Sequence, residues 1–208
     1  NGTPPTYSEV GAYPLGNSRV FGIVGLTVPL GTVSDTLGPT YQKITGLMGS
    51  YLPVVLIRGK PVVPPIQSTA WVAPGGVVHS RWEDSRGLQV DLLQTVPPDL
   101  DAIVTVIVVS NKGTAALRDL ALGLATNVPV TAEDGGLYGE RGSVRVRLGF
   151  AGARTDTVAL DPTTALPPGL EERLLPLGRM TEGSRAPTIL RCRLGTLASG
   201  RSVAKIAY

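Results

Sequence analysis

Apolar residues recur along this chain in short bursts separated by glycine, proline and polar residues, and few stretches keep the 3.6-residue rhythm of a helix. Residues 19–30 carry Val20, Phe21, Ile23, Val24, Leu26, Val28 and Leu30 in a nearly continuous run broken by two glycines, which predicts a core strand covered on both faces. Residues 32–49 are turn-rich and read as a long connection. A hairpin follows, in which residues 52–57 turn at Arg58-Gly59-Lys60 into residues 61–63. Further strands are predicted at 67–73, 77–82 and 88–96, the last two joined across Glu83-Asp84-Ser85-Arg86-Gly87. The β-branched run 102–110 leads into an Asn111-Lys112-Gly113 turn, and strands at 117–128, 143–150, 155–160, 187–194 and 202–208 complete the set. Only residues 169–175 carry a helical pattern, which Pro176 stops after about two turns.

Strands at this spacing, without the helices that parallel crossovers need, predict an all-β, antiparallel two-sheet β-sandwich, immunoglobulin-like or a larger supersandwich, with one short helix. Residues 1–17 hold three prolines and three glycines around Tyr7, Val10 and Tyr13 and read as an extended N-terminal arm; residues 18–208 read as a single sandwich domain. Period-two alternation predicts Val106, Val108, Leu122 and Cys192 as buried and turns Val144, Val146 and Leu148 inward.

Composition sharpens this picture. Glycine (26) and proline (18) make about a fifth of the chain, against ~12% on average, and with 42% hydrophobic residues they punctuate strands in a chain that folds. Charged residues are only 17%, against ~25% in an ordinary soluble domain, so the expectation is a surface partly covered by a partner. The net charge of +3 comes from 15 Arg and 4 Lys scattered among 16 carboxylates. With no basic cluster, nucleic acid is excluded as the main partner. No 18-residue apolar span is present, so no membrane-spanning helix is expected; the start at Asn1 without a leader reads as a mature product or an excised piece. Few Asn, Gln, Cys and Met beside frequent Pro fit a thermophilic source.

Candidate chemistry is sparse. His79 is the single histidine, so any His-based triad would be built around it. It shares the outer face of its strand with Val77 and Arg81 and reads as a surface or satisfied side chain. Cys192, the single cysteine, lies between Arg191 and Arg193 but on the face of Leu190 and Leu194, and reads as a buried, inert thiol. One His and one Cys supply no N/S-ligand metal site. The pairs Glu83 with Asp84, Asp99 with Asp101, Glu133 with Asp134 and Glu171 with Glu172 invite a glycosidase reading. Each sits in a predicted turn or helix start, where carboxylates cap and solvate. Asp99-Leu100-Asp101 and Glu133-Asp134-Gly135-Gly136 offer oxygen ligands for Ca²⁺ without EF-hand spacing. Trp71, Trp82 and six tyrosines could stack on sugars but are not clustered, and core packing is the commoner fate of a tryptophan. Asn1-Gly2-Thr3 is a glycosylation sequon. Thr3, Tyr7 and Val10 belong to the arm that would add a strand to a neighbouring copy. No catalytic, cofactor-binding or metal residue is assigned.

Residues 103–120, with the turn Asn111-Lys112-Gly113, and residues 197–208, with Gly200-Arg201-Ser202, resemble the strand, turn and closing strand of bacterial extracellular immunoglobulin-like modules. Leu15-Gly16-Asn17-Ser18-Arg19-Val20-Phe21 and Gly38-Pro39-Thr40-Tyr41 resemble the larger β-sandwich ahead of the catalytic domain in bacterial glucoamylase-like and phosphorylase-like carbohydrate enzymes. In that family the sandwich packs on a helical barrel that carries the catalytic carboxylates; this chain has no such barrel, so no catalytic residue carries over. The expectation is a non-catalytic extracellular structural subunit that self-assembles on the cell surface as a filament or layer by strand addition, needing no cofactor. The alternative is an accessory β-sandwich module of a carbohydrate-active enzyme, with carbohydrate as a partner.

Overall fold

The computed structural model describes residues 12–17, 21–25, 51–62, 69–73, 76–126, 130–141, 144–159 and 188–208. Their strands, in chain order, are β1 (Ala12–Gly16), β2 (Phe21–Gly25), β3 (Tyr51–Ile57), β4 (Lys60–Val62), β5 (Thr69–Ala73), β6 (Val77–Glu83), β7 (Leu88–Thr95) and β8 (Val104–Asn111). They continue with β9 (Leu117–Thr126), β10 (Thr131–Glu133), β11 (Gly136–Arg141), β12 (Val144–Leu148), β13 (Thr155–Ala159), β14 (Thr188–Leu197) and β15 (Ser202–Ala207). Sheet I runs β13-β14-β9-β3-β4 and sheet II runs β15-β8-β7-β6-β5; β10-β11-β12 and β1-β2 form smaller sheets. Every pairing is antiparallel, and the described part of the chain is an all-β sandwich.

The turns follow from local chemistry. β3 and β4 are joined by the two residues Arg58 and Gly59 at φ of 51° and 74°, the doubly positive backbone that matches strand twist in a tight hairpin. The Arg58 N–H donates to the Asp119 carbonyl at 3.1 Å, which holds the less tolerant residue in place. Between β6 and β7 the Asp84 carboxylate accepts from the N–H groups of Arg86 and Leu88 at 2.9 and 3.0 Å. Gly87, at φ +80°, lies so close to the next turn that a Cβ there would stand 2.4 Å from the Gly113 nitrogen.

Sheet I is buried on both faces over Pro53–Leu56 of β3 and Leu120–Ala125 of β9. In the paired register Val55, Leu122 and Cys192 form one row, and Val54, Gly123 and Arg191 the row behind it. Val54, Val55 and Leu56 are all buried, as is every residue from Leu120 to Ala125. The Cys192 row looks toward sheet II, since Cys192 shares a cleft with Lys205 of β15. Sheet II contributes Trp82, Leu88, Val90, Leu92, Ile107 and Val109 to the same core, and Leu137 and Leu148 of the three-stranded sheet join it.

One buried polar group ties the two sheets together. Asn111, 1% exposed, ends β8. Its amide nitrogen donates to the carbonyls of Ala115 at 2.8 Å and Leu197 at 3.0 Å, while its amide oxygen accepts from the Gly113 N–H. Its backbone N–H donates to Arg201. The end of sheet II is thereby fastened to the end of β14 in sheet I.

The strands expected at 52–57, 77–82, 88–96, 102–110, 117–128, 187–194 and 202–208 all form, within a few residues at their ends. Leu122 and Cys192 are buried as expected, but Val106 and Val108 are only half-buried. In β8 it is Thr105, Ile107 and Val109 that point inward, opposite Gln94, Leu92 and Val90. Both phases of this strand are apolar, so the neighbouring strand decides the facing. The turn expected at Glu133 and Asp134 joins β10 and β11, two strands that were not expected, and residues 12–16 of the expected arm form β1. The short helix expected at 169–175 lies outside the described residues.

Gly123 fills its place because a Cβ would come 2.6 Å from Ile189 Cγ2 and 2.8 Å from Val54 Cγ2. Gly123→Ala should destabilise the protein by about 1–3 kcal/mol through overpacking, read as a lower urea midpoint. Cys192 should resist maleimide in the native protein and react once the chain is denatured.

Candidate functional site

On β6 the inward positions are Val78, Ser80 and Trp82, so Val77, His79 and Arg81 fall on the outer face of sheet II, as the alternation predicts. β7 supplies the partner, because its register sets Asp91 opposite Arg81 and Leu93 opposite His79. Asp91 is 6% exposed, and an unpaired carboxylate at that depth would be severely penalised. It is fully engaged. Oδ1 accepts from Arg81 Nε at 2.6 Å and lies 2.7 Å from His79 Nε2, while Oδ2 accepts from Gln89 Nε2 at 2.6 Å. Burial by itself pushes the Asp91 carboxyl up; the hydrogen bonds from Gln89, Arg81 and His79 and the Arg81 charge outweigh it and hold it below its ordinary value.

An ionised carboxylate only accepts, so the proton on this imidazole belongs to Nε2. Asp91 orients His79 much as a buried carboxylate orients the base of a hydrolytic triad, and Arg81, with 45% of its side chain exposed, adds a guanidinium at the same face. Trp71 stands opposite His79 in the β5–β6 register.

Two further polar groupings lie elsewhere. Asp156 of β13 takes a two-pronged pair from Arg191, at 2.8 and 2.5 Å, and a third bond from Arg193 at 2.9 Å. The Arg191 hydrogen bonds, more than the opposing burial, hold its carboxyl far below the usual range. On the three-stranded sheet, Arg145 and Arg147 lie 4.1 and 5.5 Å from the Tyr138 ring centre, Arg147 also reaches Tyr208 at 5.6 Å, and Glu133 pairs with Arg145.

The sequence-derived residues scatter. Glu83 is exposed at the end of β6, Asp84 caps its turn, and Asp99 and Asp101 are exposed in the loop after β7. Asp134 occupies the β10–β11 turn at φ 44°. Trp82 is buried. Among the described residues no three His, Cys, Asp or Glu side chains converge on a metal-sized site. Asn1, Thr3, Tyr7, Val10, Glu171 and Glu172 lie outside the described residues. Sequence reading isolated His79 but missed Asp91 and Gln89. The available signal was a lone carboxylate in the strand 88–96, flanked by the apolar Val90, Leu92 and Leu93.

No protein-family model and no curated protein matches this sequence. Among solved structures the fold is similar to that of a putative aldose 1-epimerase from Escherichia coli K12, with a TM-score of 0.55 and 9% identity over 96% of this chain and 98% of that one. At that identity the likeness is one of fold. It overturns the resemblance to extracellular immunoglobulin-like modules, since one fold runs end to end through both chains. Two five-stranded sheets with added hairpins also exceed the seven to nine strands of an immunoglobulin domain.

The expectation of a non-catalytic, self-assembling structural subunit fails with it. That reading took a low charge fraction as a sign of surfaces covered by neighbours. The apolar side chains are spent on a sheet buried on both faces, and among the described residues only Leu100 and Ile206 are large exposed hydrophobics.

Asp91→Asn should lower stability by about 2 kcal/mol near neutral pH, the scale of a hydrogen bond to a charged group. Because the folded carboxyl is held below 3.8, the wild-type advantage should be complete above that pH and vanish as pH falls through the folded value. Unfolding midpoints of both proteins between pH 7 and pH 2 measure it.

Proposed function

We propose that the protein is a carbohydrate-active β-sandwich that acts at the anomeric centre of a sugar, with the outer face of sheet II around His79 meeting the substrate. The observation that carries this reading is the end-to-end likeness in fold to a putative aldose 1-epimerase. The buried Asp91 beside His79 supports it by supplying an oriented proton-transfer group.

Exchange of anomers needs a proton taken from the anomeric hydroxyl and one delivered to the ring oxygen. The bond from C1 to the ring oxygen then breaks, and the open-chain aldehyde closes again on its other face with no net change in composition. In this reading the His79 imidazole, held by Asp91, takes the first proton and returns it on closure. Arg81 donates to sugar oxygens at the same face, and solvent serves the second proton.

A second reading, an accessory sugar-binding module, is favoured by one fact: His79 is the only imidazole in the chain, and Asp91 is committed to three partners. Exchange spectroscopy by NMR on the two anomers of glucose and of galactose separates them. The wild type should accelerate exchange, and His79→Gln, which keeps a donor to Asp91, should lose about 10²-fold of that rate without losing stability. Sugar binding without acceleration selects the module, and neither binding nor acceleration defeats both.

A further inference from the structure

Sheets I and II end on the same side of the molecule, at β13 and β15, and one stretch of chain closes the seam between them. Gly149 exchanges backbone hydrogen bonds with Tyr208 at 2.8 and 3.0 Å, Phe150 bridges to Ala207, and the Ala151 N–H donates to Ile206 at 2.9 Å. The same stretch then enters β13 and pairs with β14 of the other sheet. At this seam lies a cleft of about 330 Å³ whose lining includes Arg154, Thr155, Asp156, Cys192, Arg193 and Lys205.

The charges of the cleft do not balance. It holds three cations and one carboxylate, and Asp156 is already taken by Arg191 and Arg193. The side chains of Arg154 and Lys205 make no hydrogen bond or ion pair with any described residue. Cys192 does not offset them, because burial pushes its thiol up and outweighs the opposing pull of Lys205, leaving it neutral. Lys205 is also oddly placed. It lies on the inward row of β15 with Val203 and Ala207, opposite the buried Ile107. An inward charge on an edge strand discourages uncontrolled strand pairing, but that purpose does not call for Arg154 at the same cleft.

We propose that this cleft binds a small dianion, the phosphate group of a phosphate monoester or inorganic phosphate itself. Arg154 presents a fork of donors suited to adjacent phosphate oxygens, Lys205 adds a compact charge from the sheet interior, and Arg193 bounds the rim through its bond to Asp156. The volume lies at the small end of ligand sites, enough for a phosphate with a modest organic group. The proposal stands apart from the sugar reading of the outer face, because β15 and β6 are separated by two strands of sheet II.

The test is calorimetric titration of the full chain with inorganic phosphate, glucose 6-phosphate and glucose at constant ionic strength, with thermal unfolding alongside. Both phosphates should bind saturably and raise the unfolding midpoint, with glucose 6-phosphate tighter if the natural ligand is an ester and inorganic phosphate equal or tighter if it is the free ion. Arg154→Ser and Lys205→Met should each weaken binding about tenfold, roughly one charge-assisted hydrogen bond, and the double variant should abolish it. His79→Gln should leave phosphate binding unchanged, so failure of the outer-face reading is told apart from failure of this one. Arg154 is exposed, so its replacement tests the site even if the lysine variant does not fold. Absence of saturable binding overturns the proposal, as does binding undiminished in the variants, the mark of an adventitious ion only.

Discussion

Sheet I has water on neither face over Pro53–Leu56 of β3 and Leu120–Ala125 of β9, and the placement of many polar groups follows from that constraint. A strand with both faces covered tolerates apolar side chains and glycine, and β9 from Leu120 to Ala125 is built from leucine, alanine and one glycine. Polar groups kept out of this layer sit on sheet II, at a sheet edge or in a turn, with Ser80, Gln94 and Thr105 on the inward face of sheet II. His79 and Asp91 take the first location, Asp156 with its arginines the second, and Asp84 and Asp134 the third. A charged fraction of 17% is therefore the signature of an extra interior layer.

Two of the polar side chains that lie deep are held by more than one partner, whereas Gln94, 0% exposed, reaches only Thr105 at 3.5 Å and its amide oxygen has no partner among the described residues. Asp91 accepts from three donors, and Asn111 uses both its amide nitrogen and its amide oxygen. This redundancy has a physical basis: in a low-dielectric interior a satisfied polar network specifies one arrangement, whereas a half-satisfied one favours none. At the outer face of sheet II the result is rigidity, because the imidazole of His79 is positioned by a carboxylate that is itself fixed from two other directions. Preorganisation of that kind lets a single proton-transfer group act without reorganising its surroundings.

Much of the strand order could be read from the residues, and the failures have specific causes. The hairpin at Arg58-Gly59 and the turns at 84–87 and 111–113 are written in turn chemistry. Leu122 and Cys192 declare their face because their flanking residues differ in character. Val106 and Val108 do not, since the run 104–109 offers an apolar side chain in nearly every position. β10 escaped because its three residues are all exposed and lead directly into the Asp134-Gly135 turn. His79 was visible as the single imidazole on an outward row, but its link to Asp91 depends on the β6–β7 register, a relation between strands that no local pattern encodes. The functional misreading came from a real quantity, the low charge, interpreted as surface when it described the interior.

The Asn111 junction bears on how such a chain emerges from a ribosome. The carbonyl of Leu197, which its amide nitrogen requires, lies 86 residues further along, and the Arg201 carbonyl that receives its backbone N–H lies beyond that. At elongation rates of about 5–20 residues per second, Asn111 waits several seconds or more before these partners have been synthesised. Throughout that interval the end of β8 is an unpaired sheet edge. Sheet II can thus add β5 to β8 in chain order as successive antiparallel neighbours, while its last edge and its fastening to sheet I wait for β14 and β15.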